Sequence, residues 1–183
     1  IVKTKVSGLV NGARVIEEKA LKDGAYEVTV EMGMNEKFLN LFVPVADQPP
    51  TPISGDKFAQ LPPIPAPVGL GFTGLVVDAK GLKVQECLNP KIFMEDGQTE
   101  VYGSDWIDPE AYGKQTVIGY VNELPKAKTH ERVKTQPLIV KAIRTSSQKP
   151  TDLIISDADA QLIHMDPKHL ELLKNAKVVV VTD

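Results

Sequence analysis

Leu153-Ile-Ile-Ser-Asp-Ala-Asp-Ala-Gln-Leu-Ile-His-Met-Asp-Pro-Lys-His-Leu-Glu-Leu-Leu-Lys-Asn-Ala-Lys-Val-Val-Val-Val181 reads as strand, helix, helix, strand. Leu153 to Ile155 is a short apolar run of strand size. Ser156 stands where a helix N-cap belongs, with Asp157 and Asp159 in the first turn, and this helix runs to about His164. Asp166-Pro167 opens a second helix, with Asp as the cap and Pro at the first helical position; Leu170, Leu172 and Leu173 lie along it, and it ends near Asn175. Lys177 to Thr182 closes the chain as a strand that is nearly all valine. Such a run has no polar face to give to water, so it is expected at the centre of a sheet, buried on both sides.

Upstream, the same signals recur. Phe72 to Asp78 is an apolar strand bounded by glycines. Lys91 to Met94 and Thr99 to Tyr102 flank Glu95-Asp96-Gly97-Gln98, an Asp-Gly hairpin turn. Asp108-Pro109-Glu110 starts a short helix that Gly113 ends. Gln115 to Val121 and Pro137 to Arg144 read as further strands. Residues 69–183 are therefore expected to form a mixed α+β domain, and the fold class of the chain is α+β.

Residues 44–68 read differently. Eight of the fourteen prolines fall between Pro44 and Pro67. Proline lacks the amide donor and fixes φ, so this stretch is expected to be an extended spacer without helix or central strand. Leu61-Pro-Pro-Ile-Pro is a loose PxxP pattern, but it reads as part of the spacer and not as a ligand.

Residues 1–43 read as a long β-hairpin. Val2, Thr4 and Val6 alternate with Lys3 and Lys5, and Arg14 to Leu21 extends the arm. Asp23-Gly24 marks the turn, and Tyr26, Val28, Val30 and Met32 alternate with Glu27, Thr29 and Glu31 on the return. A hairpin alone is marginal in water. Its apolar face, with Val2, Val6, Val28, Val30 and Met32, is the candidate interface, expected to be covered by an upstream helix, the second domain or another copy.

Bulk properties bound the function. Hydrophobic residues make up 42% and charged residues 25%, which are globular values. A net charge of −3 argues against an electrostatic nucleic-acid binder. No apolar run reaches membrane-spanning length. The chain opens at Ile1 without methionine or signal peptide, which predicts a processed or trimmed protein; an export signal or lipid anchor, if the protein has one, would lie upstream. Cys87, the only cysteine, excludes an internal disulfide and a multi-cysteine zinc site.

Candidate chemistry is thin. Asp157 and Asp159 lack the further ligands and the glycine of a calcium loop, and helix capping accounts for them. His164 and His169 are five apart across a helix break, unlike the four-residue spacing of a zinc helix, so they and His130 are expected at the surface. Asp152, Ser156 and His164 have the residue types of a triad but no nucleophile elbow. Gly69-Leu-Gly-Phe-Thr-Gly74 follows prolines and opens a strand, the reverse of a dinucleotide-binding turn, and reads as a flexible entry. Cys87 has no cationic neighbour in sequence to lower its pKa. Trp106, Tyr102, Tyr112 and Tyr120 read as packing residues. Trp106 and Asp108 mark the one place where a ligand cleft is entertained. Catalytic residues, metal ligands and cofactors are not expected.

Several stretches resemble a known group. Thr73-Gly-Leu-Val-Val-Asp-Ala-Lys-Gly-Leu82, Leu88-Asn-Pro-Lys-Ile92, Glu95-Asp-Gly-Gln-Thr-Glu-Val-Tyr-Gly103, Pro137-Leu-Ile-Val-Lys-Ala142 and the Thr151–Ala160 and Lys177–Val181 stretches resemble exported bacterial proteins of unknown function. Val6-Ser-Gly-Leu-Val-Asn-Gly-Ala-Arg-Val-Ile16 with Asp23-Gly-Ala-Tyr-Glu-Val-Thr-Val30 resembles the second half of the module shared by the Lpp-twenty lipoprotein family and the flagellar envelope proteins FlgP and FlgT. The resemblance implies export to the periplasm or outer membrane, a structural or assembly role, and envelope or flagellar proteins or a second copy as partners. It implies no nucleic acid, and membrane contact only through an anchor upstream. It brings no catalytic residue. Asp78, in the Asp-Ala-Lys-Gly stretch, is expected to form a turn.

Overall fold

The computed structural model describes residues 13–21, 25–31, 50–53, 55–59, 61–62, 71–112 and 114–183. Two separate sheets organise them. Strands β1 (Arg14–Ala20) and β2 (Tyr26–Glu31) form an antiparallel hairpin. The remaining strands are β3 (Leu75–Asp78), β4 (Ile92–Phe93), β5 (Glu100–Tyr102), β6 (Gly119–Val121), β7 (Leu138–Thr145), β8 (Leu153–Ile155) and β9 (Val178–Val181). They build one seven-stranded mixed sheet in the order β5-β4-β8-β7-β3-β9-β6. Together with the helices, this is the α+β architecture expected. Val2, Val6, Met32, the Asp23-Gly24 turn and Gly69 lie outside the described residues.

The valine strand sits as its composition requires. β9 pairs in parallel with β3 on one side and β6 on the other. Val178 and Val180 face the larger core, and Val179 and Val181 face a second, smaller one. Against the larger core pack α4 (Asp157–His164), through Ala160 and Ile163, and α5 (Pro167–Lys174), through Leu173. Both helices start with the caps their sequences announce. Ser156 Oγ accepts from the Asp159 amide at 3.0 Å, and Asp166 Oδ1 accepts from the Lys168 amide at 2.8 Å. The short helix α2 (Pro109–Tyr112) adds Tyr112 to the same core.

The smaller core lies across the sheet, where Ala127 of α3 (Leu124–Lys128) and Val133 cover Val76, Val179 and Val181. Gly74, just before β3, is part of this closure. A Cβ there would lie 2.6 Å from the Cα of Val133. Gly74 is thus needed for a close approach of two chain segments, where a flexible entry was expected. On β7 the burial alternates: Val140 and Ala142 point into the larger core, while Ile139, Lys141 and Ile143 remain exposed on the opposite face.

Two expectations need correction, and one helix was not expected at all. The strand expected over Gln115–Val121 is confined to Gly119–Val121, because Thr116 Oγ1 turns to donate to the Ile118 carbonyl and Arg132 donates to the Thr116 carbonyl. The helix α3 went unforeseen: Glu123 at its N-cap makes no side-chain capping bond. The proline-rich stretch contains a helical turn, α1 (Gly55–Phe58), in its proline-free centre, and it is more than a spacer. Phe58 is buried in the larger core, with Ile53 and Leu61 packed against it. Lys57 Nζ donates to Thr99 Oγ1 at 2.7 Å and to Asp96 Oδ2 at 3.3 Å. The described residues between 50 and 62 thereby strap across the domain.

Candidate functional site

The hairpin has two unlike faces. Val15 lies opposite Val30, Glu18 opposite Val28, and Ala20 opposite Tyr26. Directly opposed residues of an antiparallel pair point to the same side, so these six share one face, apolar except for Glu18. Arg14, Glu17, Lys19, Glu27, Thr29 and Glu31 form the other, charged face, on which Arg14 and Glu31 pair at 2.9 Å. A β-bulge at Ile16 is why the alternation of β1 shifts by one position between Val15 and Glu17. Every residue of both strands is exposed; Tyr26 is 74% exposed and Val28 and Val30 about half. Of the candidate interface residues, Val28 and Val30 are therefore placed together on an uncovered apolar face.

The structure separates the two residues of the suggested cleft. Asp108 is exposed and lines an open cavity of about 790 Å³ with Glu110, Lys114, Gln115, Asn175 and Lys177. Trp106 does not line it. Its ring is buried and meets the His164 ring edge-on, 5.1 Å between centres. A smaller cavity of about 320 Å³ lies between Glu86-Cys87-Leu88 and Thr116–Tyr120. There the Tyr120 hydroxyl accepts from the Cys87 amide and donates to the Cys87 carbonyl, and burial pushes the phenol well above its ordinary range.

The histidines were misplaced by the sequence reading. His164 and His169 are buried, not surface residues. His164 Nδ1 accepts from the Ile53 amide, which leaves the ring proton on Nε2 to donate to the Val101 carbonyl at 3.0 Å. Burial lowers its pKa, against the opposing pull of the Val101 carbonyl. His169 Nδ1 lies 3.0 Å from the Leu162 carbonyl, and its ring packs on Phe72. Periodicity does not distinguish such core histidines from solvated ones.

The triad residue types do not form a relay. Asp152 is buried and accepts from the Lys91 amide and Thr151 Oγ1. Ser156 donates to Asp159. Asp157 and Glu95 exchange hydrogen bonds, each carboxylate taking the other's amide, at 3.0 and 3.2 Å. These bonds account for the acidic pair as caps and ties. Among the described residues, no group of three metal-ligating side chains converges, and no helix is long and apolar enough to cross a membrane. Asp78 accepts from the Lys80 amide at 3.1 Å, the turn expected of it. Tyr102 donates to the Val117 carbonyl and Tyr112 to Asn89, both from within the core.

No curated protein matches the chain. Residues 74–183, which hold the whole seven-stranded sheet from the close-approach Gly74 to the end of β9, match the family defined by the second domain of Treponema pallidum Tp0624. That match spans more than half of the sequence, and the chain belongs to this family.

Proposed function

We propose that this is a non-enzymatic cell-envelope protein with a structural or assembly role, which associates with other proteins through the apolar face of its β1–β2 hairpin. The observation that carries the reading is that face: Val15, Tyr26, Val28 and Val30 side by side and open to water. Each large apolar side chain covered there would contribute on the order of 1.5–3 kcal/mol. Soluble chains rarely keep such a contiguous patch without a partner. The resemblance of this segment to the Lpp-twenty, FlgP and FlgT module supports an exported, flagellum- or outer-membrane-associated setting. The test is Val28→Asp with Val30→Asp in the full chain. Light scattering should show a wild-type oligomer moving towards monomer, and a chain that is monomeric at high concentration would remove the reading. Fractionation of the producing cell tests the location.

A second reading rests on the cavity at Asp108. Its lining mixes the carboxylates of Asp108 and Glu110 with Lys114 and Lys177, which suits a periplasmic module for a small polar ligand or glycan. Binding of such a ligand lost on Asp108→Ala, with the oligomer unchanged, would favour it over assembly.

A further inference from the structure

β7 is the middle strand of the seven, and half of one side of it is bare. It pairs in parallel with β3 and antiparallel with β8, and parallel sheet is ordinarily covered on both faces where strands run parallel throughout. Here the smaller core covers β3, β9 and β6. On the far side of β7, Arg144 reaches across to donate to the Glu95 carbonyl, beside the buried Ile154. Between these two coverings Ile139, Lys141 and Ile143 stand exposed along one face of β7, about 13 Å from first to last.

The hairpin face is built to the same plan with the opposite charge. Along β2, Tyr26, Val28 and Val30 also span about 13 Å. Glu18 lies opposite the central Val28, so the one anion of the face is at its middle. β7 presents apolar, cationic, apolar, with Asp78 of β3 in register beside Lys141; the hairpin presents apolar, anionic, apolar. Among the described residues neither Glu18 nor Lys141 has an ion-pair partner, and both strands are exposed at these positions. A charge carried into a sheet-on-sheet contact must meet its opposite, and only the central register brings these two together.

We propose that the β1–β2 hairpin of one copy docks on the Ile139–Lys141–Ile143 face of a second copy, with Glu18 paired to Lys141. Reciprocal exchange gives two identical contacts and a closed two-fold dimer. This rests on the reading of the hairpin as the association element and names the surface that receives it.

The full chain tests it. Glu18→Lys and Lys141→Glu each weaken dimerisation by about tenfold in sedimentation equilibrium, and the two together restore it. Both positions are exposed, so unchanged melting curves separate the effect from misfolding. In a Cys87→Ser chain, Glu18→Cys with Lys141→Cys gives a disulfide-linked dimer on oxidation, whichever way the hairpin runs across β7. A disulfide closed within one chain overturns the second-copy assignment. A dimer that Val28→Asp with Val30→Asp dissociates, but that the double charge reversal does not restore, overturns the docking site and leaves the assembly reading intact. Absence of any oligomer at high concentration ends both.

Discussion

The amide of Ile53 donates to Nδ1 of His164 at 3.2 Å, across 111 positions of sequence. The bond exists only while His164 is neutral, because a protonated ring has no acceptor nitrogen.

The first prediction follows from that bond. Burial holds the folded-state pKa of His164 below its unfolded value of about 6.5. The unfolded chain therefore binds the proton more readily, and stability is full above about pH 6.5 and declines as the pH falls below it. Asp96, which faces the same strap through Lys57, does not share that window. Desolvation opposes its ionisation, yet hydrogen bonds from Thr99, Gln98 and Lys57 outweigh it and hold the carboxyl well below the usual range. Trp106 is the only tryptophan and touches the His164 ring. Its fluorescence should change on mild acidification together with new protease cleavage within residues 50–62, and His164→Gln should abolish the pH dependence of both.

Asp152→Ala is expected to cost about 1–3 kcal/mol in denaturant melts, since it leaves the Lys91 amide without its acceptor. Asp152→Asn, which keeps an acceptor oxygen, should recover most of that loss.

Gly74→Ala should destabilise by about 1–3 kcal/mol, the ordinary cost of overpacking. The added methyl would meet both the backbone and the side chain of Val133 at 2.6 Å. A companion Val133→Ala removes the side-chain part of that clash and should return only part of the stability. Equal stability of Gly74→Ala and the parent would show that the 73–74 and 133 segments do not approach as described.

Ile155→Ala, wholly within the larger core, should cost about 2–5 kcal/mol. Ile139→Ala, on the exposed side of β7, should stay within about 0.5 kcal/mol at concentrations where the chain is monomeric. A comparable loss at both positions would mean that the outer side of β7 is covered within one chain.

The β8-α4-α5-β9 unit was legible because each boundary is written in a local residue: Ser156 and Asp166 cap their own helices, and the valine run admits no exposed face. Its place in the sheet was legible only as far as burial; that β9 lies between β3 and β6 is a matter of long-range register, which no local pattern encodes. α3 lacks the capping side chain that would have announced it. The strap was hidden by proline counting, which was right about Pro52 and Pro62 and silent about the nine residues 53–61 that lie between them. Of the candidate interface, the alternation at Tyr26, Val28 and Val30 was readable. The shift at Ile16, which brings Glu18 rather than its neighbour opposite Val28, was not.

The position of β9 also sets the order in which the domain comes into being. β3 appears a hundred residues before the strand that must lie beside it, and β6 has no neighbour in the sheet other than β9. A nascent chain leaving the ribosome thus carries β3 with one edge open, and β6 unpaired, until β9 emerges. Loop closure over that span is slow compared with local pairing. The domain is therefore completed only once β9 has been made, and until then the open edge of β3 is free to be held by a chaperone or captured by the wrong strand.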